Sequence, residues 1–340
     1  MSLQNTGKHT RPGALAVRAF GVGASGDHVH DLQRRLTALA FTPGPVDGDF
    51  GTRTELAVRG FQELRGLDVD GICGTDTWSA LVEAGHRLGD RLLYLHSPMF
   101  RGDDVAVLQE QLAALGFDPG RVDSILGPDT NSALIEFQRN CGLVSDGICG
   151  PETVKIFGRL IRRDHGSTPV STVRELERLR TGPRTLSGRR IVIGERGGLD
   201  AVAASVHRVL GELGADVVTL HHPDWEHQAV RANSFEADAF VGLVVRDDQE
   251  RSVCYFAGER SESTAGRELA SALADSLNPV LGETAVRGMR LPVLRATRMP
   301  AVVCRLGSVG QLVPKTPTVA RAVRAALQRW VEQADEVEEA

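Results

Sequence analysis

The feature that most restricts the fold of this chain is an internal repeat in its first half. Residues 26–81 align with residues 102–157 without a gap, and about half of the aligned positions are identical. The run D-G-I-C-G at residues 70–74 recurs at residues 146–150. A repeat of this kind indicates two copies of one small supersecondary unit, so both copies must adopt the same fold.

Each copy is predicted to form three short helices. In the first copy Val29, Leu32 and Leu36 are spaced by three and four residues, which is typical of the apolar face of an amphipathic helix. Proline, glycine and aspartate then mark a turn before a second helix. After the D-G-I-C-G loop, Thr75 or Asp76 is a candidate cap for a third helix.

The second helix is predicted to point Leu56, Val58 and Phe61 toward the core of the copy. Thr52 and Thr54 precede these apolar residues and are candidates for the N-cap, since a threonine hydroxyl can accept a hydrogen bond from a free backbone N–H group.

The order of motifs in both copies, from G-D-x-V-x-x-L-Q to D-G-x-x-G-T, resembles the peptidoglycan-binding domain of many wall hydrolases and their regulators. That resemblance implies two all-α modules, at residues 20–86 and 98–160, with a surface groove for glycan or stem-peptide fragments. A helical module used for protein contacts is the alternative. The simplest interpretation of any single loop residue is that it maintains the fold of the module. The loop residues that are candidates for ligand binding are Asp47, Gly51, Asp70, Gly71, Asp123, Gly127, Asp146 and Gly147.

The second half of the chain alternates between strand and helix patterns. Predicted strands lie at residues 191–193, 217–220, 240–245, 253–256 and 300–305, and predicted helices at 199–213, 265–277 and 318–331. This alternation predicts an open α/β sheet covered on both faces, in a domain of residues 189–334. Residues 1–19 are expected to be a disordered tail, and residues 161–188 a linker.

The α/β domain resembles the zinc-dependent N-acetylmuramoyl-L-alanine amidases, on the segments R-R-I-V-I-G-E-R-G-G and M-P-A-V-V-C-R-L-G. Zinc hydrolysis needs protein ligands with free lone pairs, an open position for water and a carboxylate. The resemblance puts Arg196 where the first histidine ligand belongs, Val244 at the other histidine and Arg305 at the catalytic glutamate. In that family a loop leads to the glutamate ligand, and the resemblance finds no counterpart of this loop in the present sequence. The resemblance therefore implies a pseudoenzyme with no catalytic residue, no metal and no cofactor.

A relocated metal site is the competing hypothesis for this domain. His221, His222 and His227 lie close together in the sequence with Glu226 between them. His222 and His227 do not have the i, i+4 spacing of a helical zinc pair, and Pro223 interrupts the segment. Solvated histidines at a strand end are the simpler interpretation.

Composition limits the function classes further. A formal net charge of −5 gives no reason to expect nucleic acid as a partner, and no apolar run approaches the length of a membrane span. The polar N-terminus lacks the apolar core of a signal peptide, so we expect a cytoplasmic protein. The five cysteines include no C-x-x-C pair, and Cys73 and Cys149 at matching repeat positions are predicted to be buried structural residues.

Two such modules before a degenerate amidase domain resemble a group of actinobacterial regulators of peptidoglycan precursor synthesis. This resemblance implies a phosphorylation-dependent scaffold that binds muropeptides and contacts cytoplasmic wall-synthesis proteins, either an enolpyruvyl transferase or the lipid-precursor flippase machinery. Candidate phosphorylation sites are Thr6, Thr10, Thr168 and Thr172. An exported zinc amidase and a muropeptide sensor without a protein partner are the alternatives.

Overall fold

The computed structural model describes residues 19–160, 184–245, 250–258 and 261–333. The described residues divide into two compact units: residues 19–62 with 69–82, and residues 63–68 with the described residues from 83 onward. The first unit contains the first copy of the repeat except for residues 63–68, and the second unit contains the second copy and the α/β domain. The candidate phosphorylation sites, the predicted tail up to residue 18 and linker residues 161–183 lie outside the described residues.

Both copies of the repeat form three helices, as predicted. In the first copy these are α1 (Asp27–Ala38), α2 (Thr52–Leu64) and α3 (Thr75–Ala84). In the second copy they are α4 (Asp103–Ala114), α5 (Pro128–Asn140) and α6 (Pro151–Leu160). The apolar residues at three- and four-residue spacing form the cores, because that spacing brings them onto one face of each helix.

The predicted inward face of α2 was wrong at one position. Val58 and Phe61 are fully buried, but the side chain of Leu56 is 63% exposed. Residues 54, 57, 58 and 61 form the buried face of α2, and at 100° per residue Leu56 falls outside it. Thr54 lies within the helix and is not its cap: its hydroxyl accepts a hydrogen bond from the Gln33 amide at 3.2 Å.

The α/β domain contains a sheet of six described strands. They are β1 (Arg190–Glu195), β2 (Asp216–His221), β3 (Ala239–Val244), β4 (Arg251–Phe256), β5 (Thr284–Met289) and β6 (Ala301–Arg305). Their order is β2-β1-β3-β6-β4-β5, and β4 runs antiparallel to β6 while the other neighbours are parallel. β5 was not predicted from the sequence, because this edge strand exposes its four central residues and carries little apolar pattern.

Helices cover both faces of the sheet, as predicted. On one face lie α7 (Asp200–Gly211), α9 (Thr264–Leu281) and α12 (Thr316–Glu332), which share an apolar core with the sheet. A second core on the other face includes α8 (Trp225–Ser234) and α10 (Pro292–Ala296). The short helix α11 (Val309–Leu312) follows β6. α8, α10 and α11 were not predicted from the sequence.

Within the second unit, the second repeat copy contacts the α/β domain through arginines. Arg121 donates hydrogen bonds to the Leu294 and Thr297 carbonyls at 3.2 and 3.1 Å, and its guanidinium lies 5.4 Å from the centre of the Phe256 ring. Arg295 of α10 donates to the Asp123 and Ser124 carbonyls of the second copy at 2.6 and 3.0 Å. The second copy and the α/β domain are therefore joined by specific polar contacts.

In the described part of the chain, no helix has both the length and the apolar character that a membrane crossing requires.

Candidate functional site

Three neighbouring parallel strands end at the same edge of the sheet. β1, β3 and β6 lie side by side, and their last residues are Glu195, Val244 and Arg305. Val244 is the register partner of Arg305, and Arg196 follows Glu195 directly. The carboxyl edge of a parallel sheet is where α/β proteins place their ligands. The structure thus brings the three positions named from the sequence to one edge.

Arg305 is engaged in an internal ion pair. Arg305 is only 8% exposed, and its guanidinium lies 2.7 Å from the Asp68 carboxylate. Burial raises the pKa of the neighbouring Cys254 thiol, and the positive charge of Arg305 partly opposes that increase. A buried cation in this position is stabilised by its carboxylate partner.

Arg196 and Val244 also lack the chemistry of a metal ligand. Arg196 donates to the Pro223 carbonyl at 2.7 Å, and its guanidinium lies 5.4 Å from the centre of the Trp225 ring. Val244 packs against the apolar core of α8 and α10. A guanidinium has no free lone pair and stays protonated, and an aliphatic side chain has no donor atom. The zinc ion of the amidases therefore does not fit the residues at these positions.

A different group of potential donors lies at the ends of β1 and β2. His221 is the register partner of Glu195, and its Nδ1 atom lies 2.9 Å from the Glu195 carboxylate and 3.2 Å from that of Asp200. The three donor atoms lie within 4.8 Å of one another. The other Glu195 oxygen accepts from the backbone N–H of Gly197 at 2.7 Å.

This group is first of all a set of close polar contacts around one imidazole. His221 and Asp200 are exposed, whereas Glu195 is buried and needs a partner for its charge. His222 and His227 stack on each other with ring centres 4.1 Å apart and do not join the group. Glu195 and Asp200 were not predicted from the sequence; the available signal was the carboxylate of Glu195 at the end of a buried strand.

The loops of the repeat copies are built around a buried glutamine. Gln33 donates to the Asp47 carboxylate at 3.0 Å and accepts from the Gly48 N–H at 2.9 Å. Equivalent bonds join three further pairs, namely Gln62 with Asp70, Gln109 with Asp123, and Gln138 with Asp146. Each copy therefore contains this turn twice, and the four aspartates named as candidates serve as turn acceptors.

The candidate glycines lie in or beside the same turns. Gly71 and Gly147 adopt left-handed φ angles of 74° and 71°, and a Cβ atom there would lie 2.8 Å from Glu55 and 2.6 Å from Asn131. Gly51 directly precedes α2, and Gly127 is the N-cap residue of α5. The turn geometry itself requires the glycines at 71 and 147.

A groove of about 660 Å³ opens on the first repeat copy and is lined by none of those candidate residues. It lies between the end of α1, the loop that follows and the start of α2. Its wall includes Phe41, Pro43, Gly44, Arg53 and Leu56. The exposed side chain of Leu56 thus forms part of the wall of this groove. The groove was not predicted from the sequence.

Comparisons with known proteins agree with this architecture. The family model of the peptidoglycan binding domain matches residues 25–81 and 101–157. N-acetylmuramoyl-L-alanine amidase CwlM of Mycobacterium tuberculosis is 36% identical over 325 residues, which cover 82% of this chain and 79% of that protein. N-acetylmuramoyl-L-alanine amidase CwlL of Bacillus licheniformis is 35% identical over 153 residues, which cover 38% of this chain and 42% of that protein.

Among solved structures, amidase AmiC2 of Nostoc punctiforme matches 43% of this chain and 99% of its own, with 16% identity and a TM-score of 0.36. The similarity to the Mycobacterium tuberculosis protein covers more than two thirds of each chain. The chain therefore belongs to the CwlM family of N-acetylmuramoyl-L-alanine amidases, in which tandem peptidoglycan-binding modules accompany an amidase-like α/β domain.

Proposed function

We propose that this protein is a non-catalytic cytoplasmic regulator of peptidoglycan precursor synthesis. It binds muropeptide-type ligands through its tandem modules and protein partners through its α/β domain. The observation that carries the proposal is the buried Arg305, which is paired with Asp68 where the amidase resemblance places the catalytic glutamate.

The chemistry of the sheet edge supports this proposal. Zinc hydrolysis uses the metal to generate a nucleophile from water, and a carboxylate to move the proton. Arg305 carries a permanent positive charge next to Val244, so this edge offers neither a base nor a ligand at those two positions. A catalytic site that has lost several members is not restored by returning one of them.

The proposed binding role rests on the modules and on the family. Both repeat copies match the peptidoglycan binding domain over their helical cores, which supports a wall fragment or precursor as ligand. The protein partners follow from the regulator resemblance: an enolpyruvyl transferase or the lipid-precursor flippase machinery. Retention of a complete sheet without the hydrolytic residues is consistent with a domain that serves as a binding surface.

The first prediction concerns hydrolysis. The purified full chain, supplied with zinc and peptidoglycan, should release no stem peptide above background, and Arg196→His should leave that result unchanged because Val244 and Arg305 remain. Release is measured by mass spectrometry of the soluble fraction, with an active amidase as the positive control. Zinc-dependent release of stem peptide by the native chain would contradict the proposal and would support amidase activity, the activity after which its relatives are named.

The regulatory part is tested in the native cell. Affinity purification of the tagged full chain should recover a cytoplasmic wall-synthesis protein, and adding the purified chain should change the activity of that enzyme. If muropeptides bind and no protein partner is recovered, the protein is a muropeptide sensor and the scaffold role is excluded.

A further inference from the structure

We propose that the groove of the first repeat copy binds the free carboxylate end of a short peptide with small alkyl side chains. This is the chemistry of a peptidoglycan stem peptide, and the inference rests on the muropeptide binding proposed above. It assigns recognition to one copy, to one charged residue and to one end of the ligand.

The cation of the groove is Arg53. Its side chain is exposed on the first turns of α2, and among the described residues its guanidinium has no ion-pair or hydrogen-bond partner. The arginine stem lies over Gly44, whose φ of 94° and missing Cβ leave room for it: a Cβ there would approach the Arg53 Cδ to 3.3 Å. Arg53 is thus supported along its stem while its charged end remains available for a planar carboxylate.

The apolar wall of the groove is formed by Phe41 and Leu56. The Phe41 ring is held by an edge contact with the buried Phe61 ring, with centres 5.7 Å apart. Leu56 is 63% exposed on the outward face of α2, where a polar residue is the usual choice. Together they offer a small apolar surface beside a cation, which is complementary to methyl side chains beside a terminal carboxylate. The groove volume is also within the range of small-ligand sites.

The second copy provides an internal comparison. Phe117, Pro119 and Gly120 occupy the positions of Phe41, Pro43 and Gly44, and Phe117 makes the same edge contact with Phe137 at 5.5 Å. The position of Arg53, however, is occupied by Asp129, and that of Leu56 by Ser132. The scaffold is retained while the charge is reversed, so a carboxylate ligand should prefer the first copy.

The test is calorimetric titration of the full chain with N-acetylmuramoyl-pentapeptide, and with the same muropeptide carrying a C-terminal amide. Arg53→Gln and the amide should each weaken binding about 10- to 100-fold, the usual value of a charge-assisted hydrogen-bonded contact. Leu56→Ser should also weaken binding. Asp129→Asn in the second copy is the matched control and should leave the affinity unchanged. All substituted residues are exposed, and circular dichroism checks that the variants are folded.

The outcomes separate this inference from the proposed function. If the muropeptide binds the native chain and neither Arg53→Gln nor the amide weakens it, the groove assignment is wrong and muropeptide binding stands. If Asp129→Asn weakens binding as much as Arg53→Gln, the assignment to the first copy is wrong. If the muropeptide does not bind the native chain, both the groove assignment and the ligand part of the proposed function are wrong.

Discussion

At the scale of single residues, the buried glutamines explain why the loops of the repeat keep their shape. Gln33 is 1% exposed, donates to Asp47, Asp49 and Thr54, and accepts from the Gly48 N–H. One amide thereby joins α1, the following turn and α2. Because buried polar groups are costly when unpaired, each member of this network depends on the others.

Replacement of Gln33 by leucine should therefore destabilise the first copy by about 2 kcal/mol, since the Gly48 N–H and the Asp49 carbonyl lose their buried partner. Urea unfolding of the full chain, followed by hydrogen exchange at the Gly48 amide, measures the effect. Arg34→Ala on the exposed side of α1 is the control and should change stability little. Unchanged protection of Gly48 in the leucine variant would contradict the role given to this glutamine.

The cysteines give a prediction about pH and reactivity. Burial raises the pKa of Cys73 and of Cys149 to about 12, with smaller increases from the Asp70 and Asp104 carboxylates. Cys141 is the one described cysteine that is not fully buried. Since the thiolate is the reactive form, alkylation of the folded chain at pH 8 should modify Cys141 first, and unfolding should expose all five cysteines.

The raised pKa values of Cys73 and Cys149 also determine how the stability of the fold changes with pH. The folded state binds the protons of Cys73 and Cys149 more tightly than the unfolded state does, because the folded pKa is the higher one. Their contribution is fully present below the unfolded thiol pKa and is lost as the pH rises toward about 12. Mass spectrometry of labelled peptides and urea unfolding at neutral and alkaline pH check both statements. Rapid labelling of Cys73 or Cys149 in the folded chain would exclude this account.

At the scale of elements, the fit of α8 onto the sheet depends on two glycines. Gly194 in β1 and Gly242 in β3 are register partners. A Cβ at Gly194 would lie 2.2 Å from the Gln228 amide oxygen and 2.6 Å from the Phe240 ring. A Cβ at Gly242 would lie 3.0 Å from the Trp225 ring. Neither glycine has a left-handed φ, so the requirement is for space between helix and sheet.

Gly194→Ala should accordingly destabilise the α/β domain by about 1–3 kcal/mol through overpacking. Gly211→Ala at the end of α7 is the matched control: no heavy atom lies within 4 Å of its added Cβ, and alanine is the better helix former. Thermal unfolding of both variants measures the difference. Equal melting temperatures would show that the sheet accommodates the extra methyl group.

At the scale of the whole molecule, Arg295 is central to the second unit. It donates to the Glu83 carboxylate at 2.7 Å and to the Asp123 and Ser124 carbonyls at 2.6 and 3.0 Å. Arg290 lies 3.8 Å from the same carboxylate, and burial, followed by the charge of Arg295, lowers the pKa of Arg290 to about 10. This cluster connects α10 with Glu83 at the end of α3 and with the loop between α4 and α5.

Arg295→Met should cost about 3–5 kcal/mol of stability in the second unit, because it leaves a buried carboxylate and two carbonyls without their donor. The neighbouring Arg298 is exposed, so Arg298→Met should change stability by less than about 0.5 kcal/mol. Urea unfolding monitored by Trp225 and Trp330 fluorescence compares the two. Similar midpoints for both variants would mean that packing alone holds the second copy to the α/β domain.

The sequence by itself was sufficient for the features that depend on local spacing and on repetition. Residues 26–81 and 102–157 share their apolar positions, so one helical fold could be predicted for both copies. Alternating strand and helix patterns predicted the covered sheet. The amidase resemblance named Arg196, Val244 and Arg305, and the parallel strands of the folded sheet bring these positions to one edge.

Tertiary structure alone decided which side chains meet across long separations. Arg305 pairs with Asp68 although more than 200 residues lie between them, and no local pattern encodes that contact. The exposure of Leu56 likewise depends on which face of α2 the rest of the copy covers. Helix and strand periods are properties of the backbone and can be read along the chain, whereas ion pairs and grooves arise only after packing has brought distant elements together.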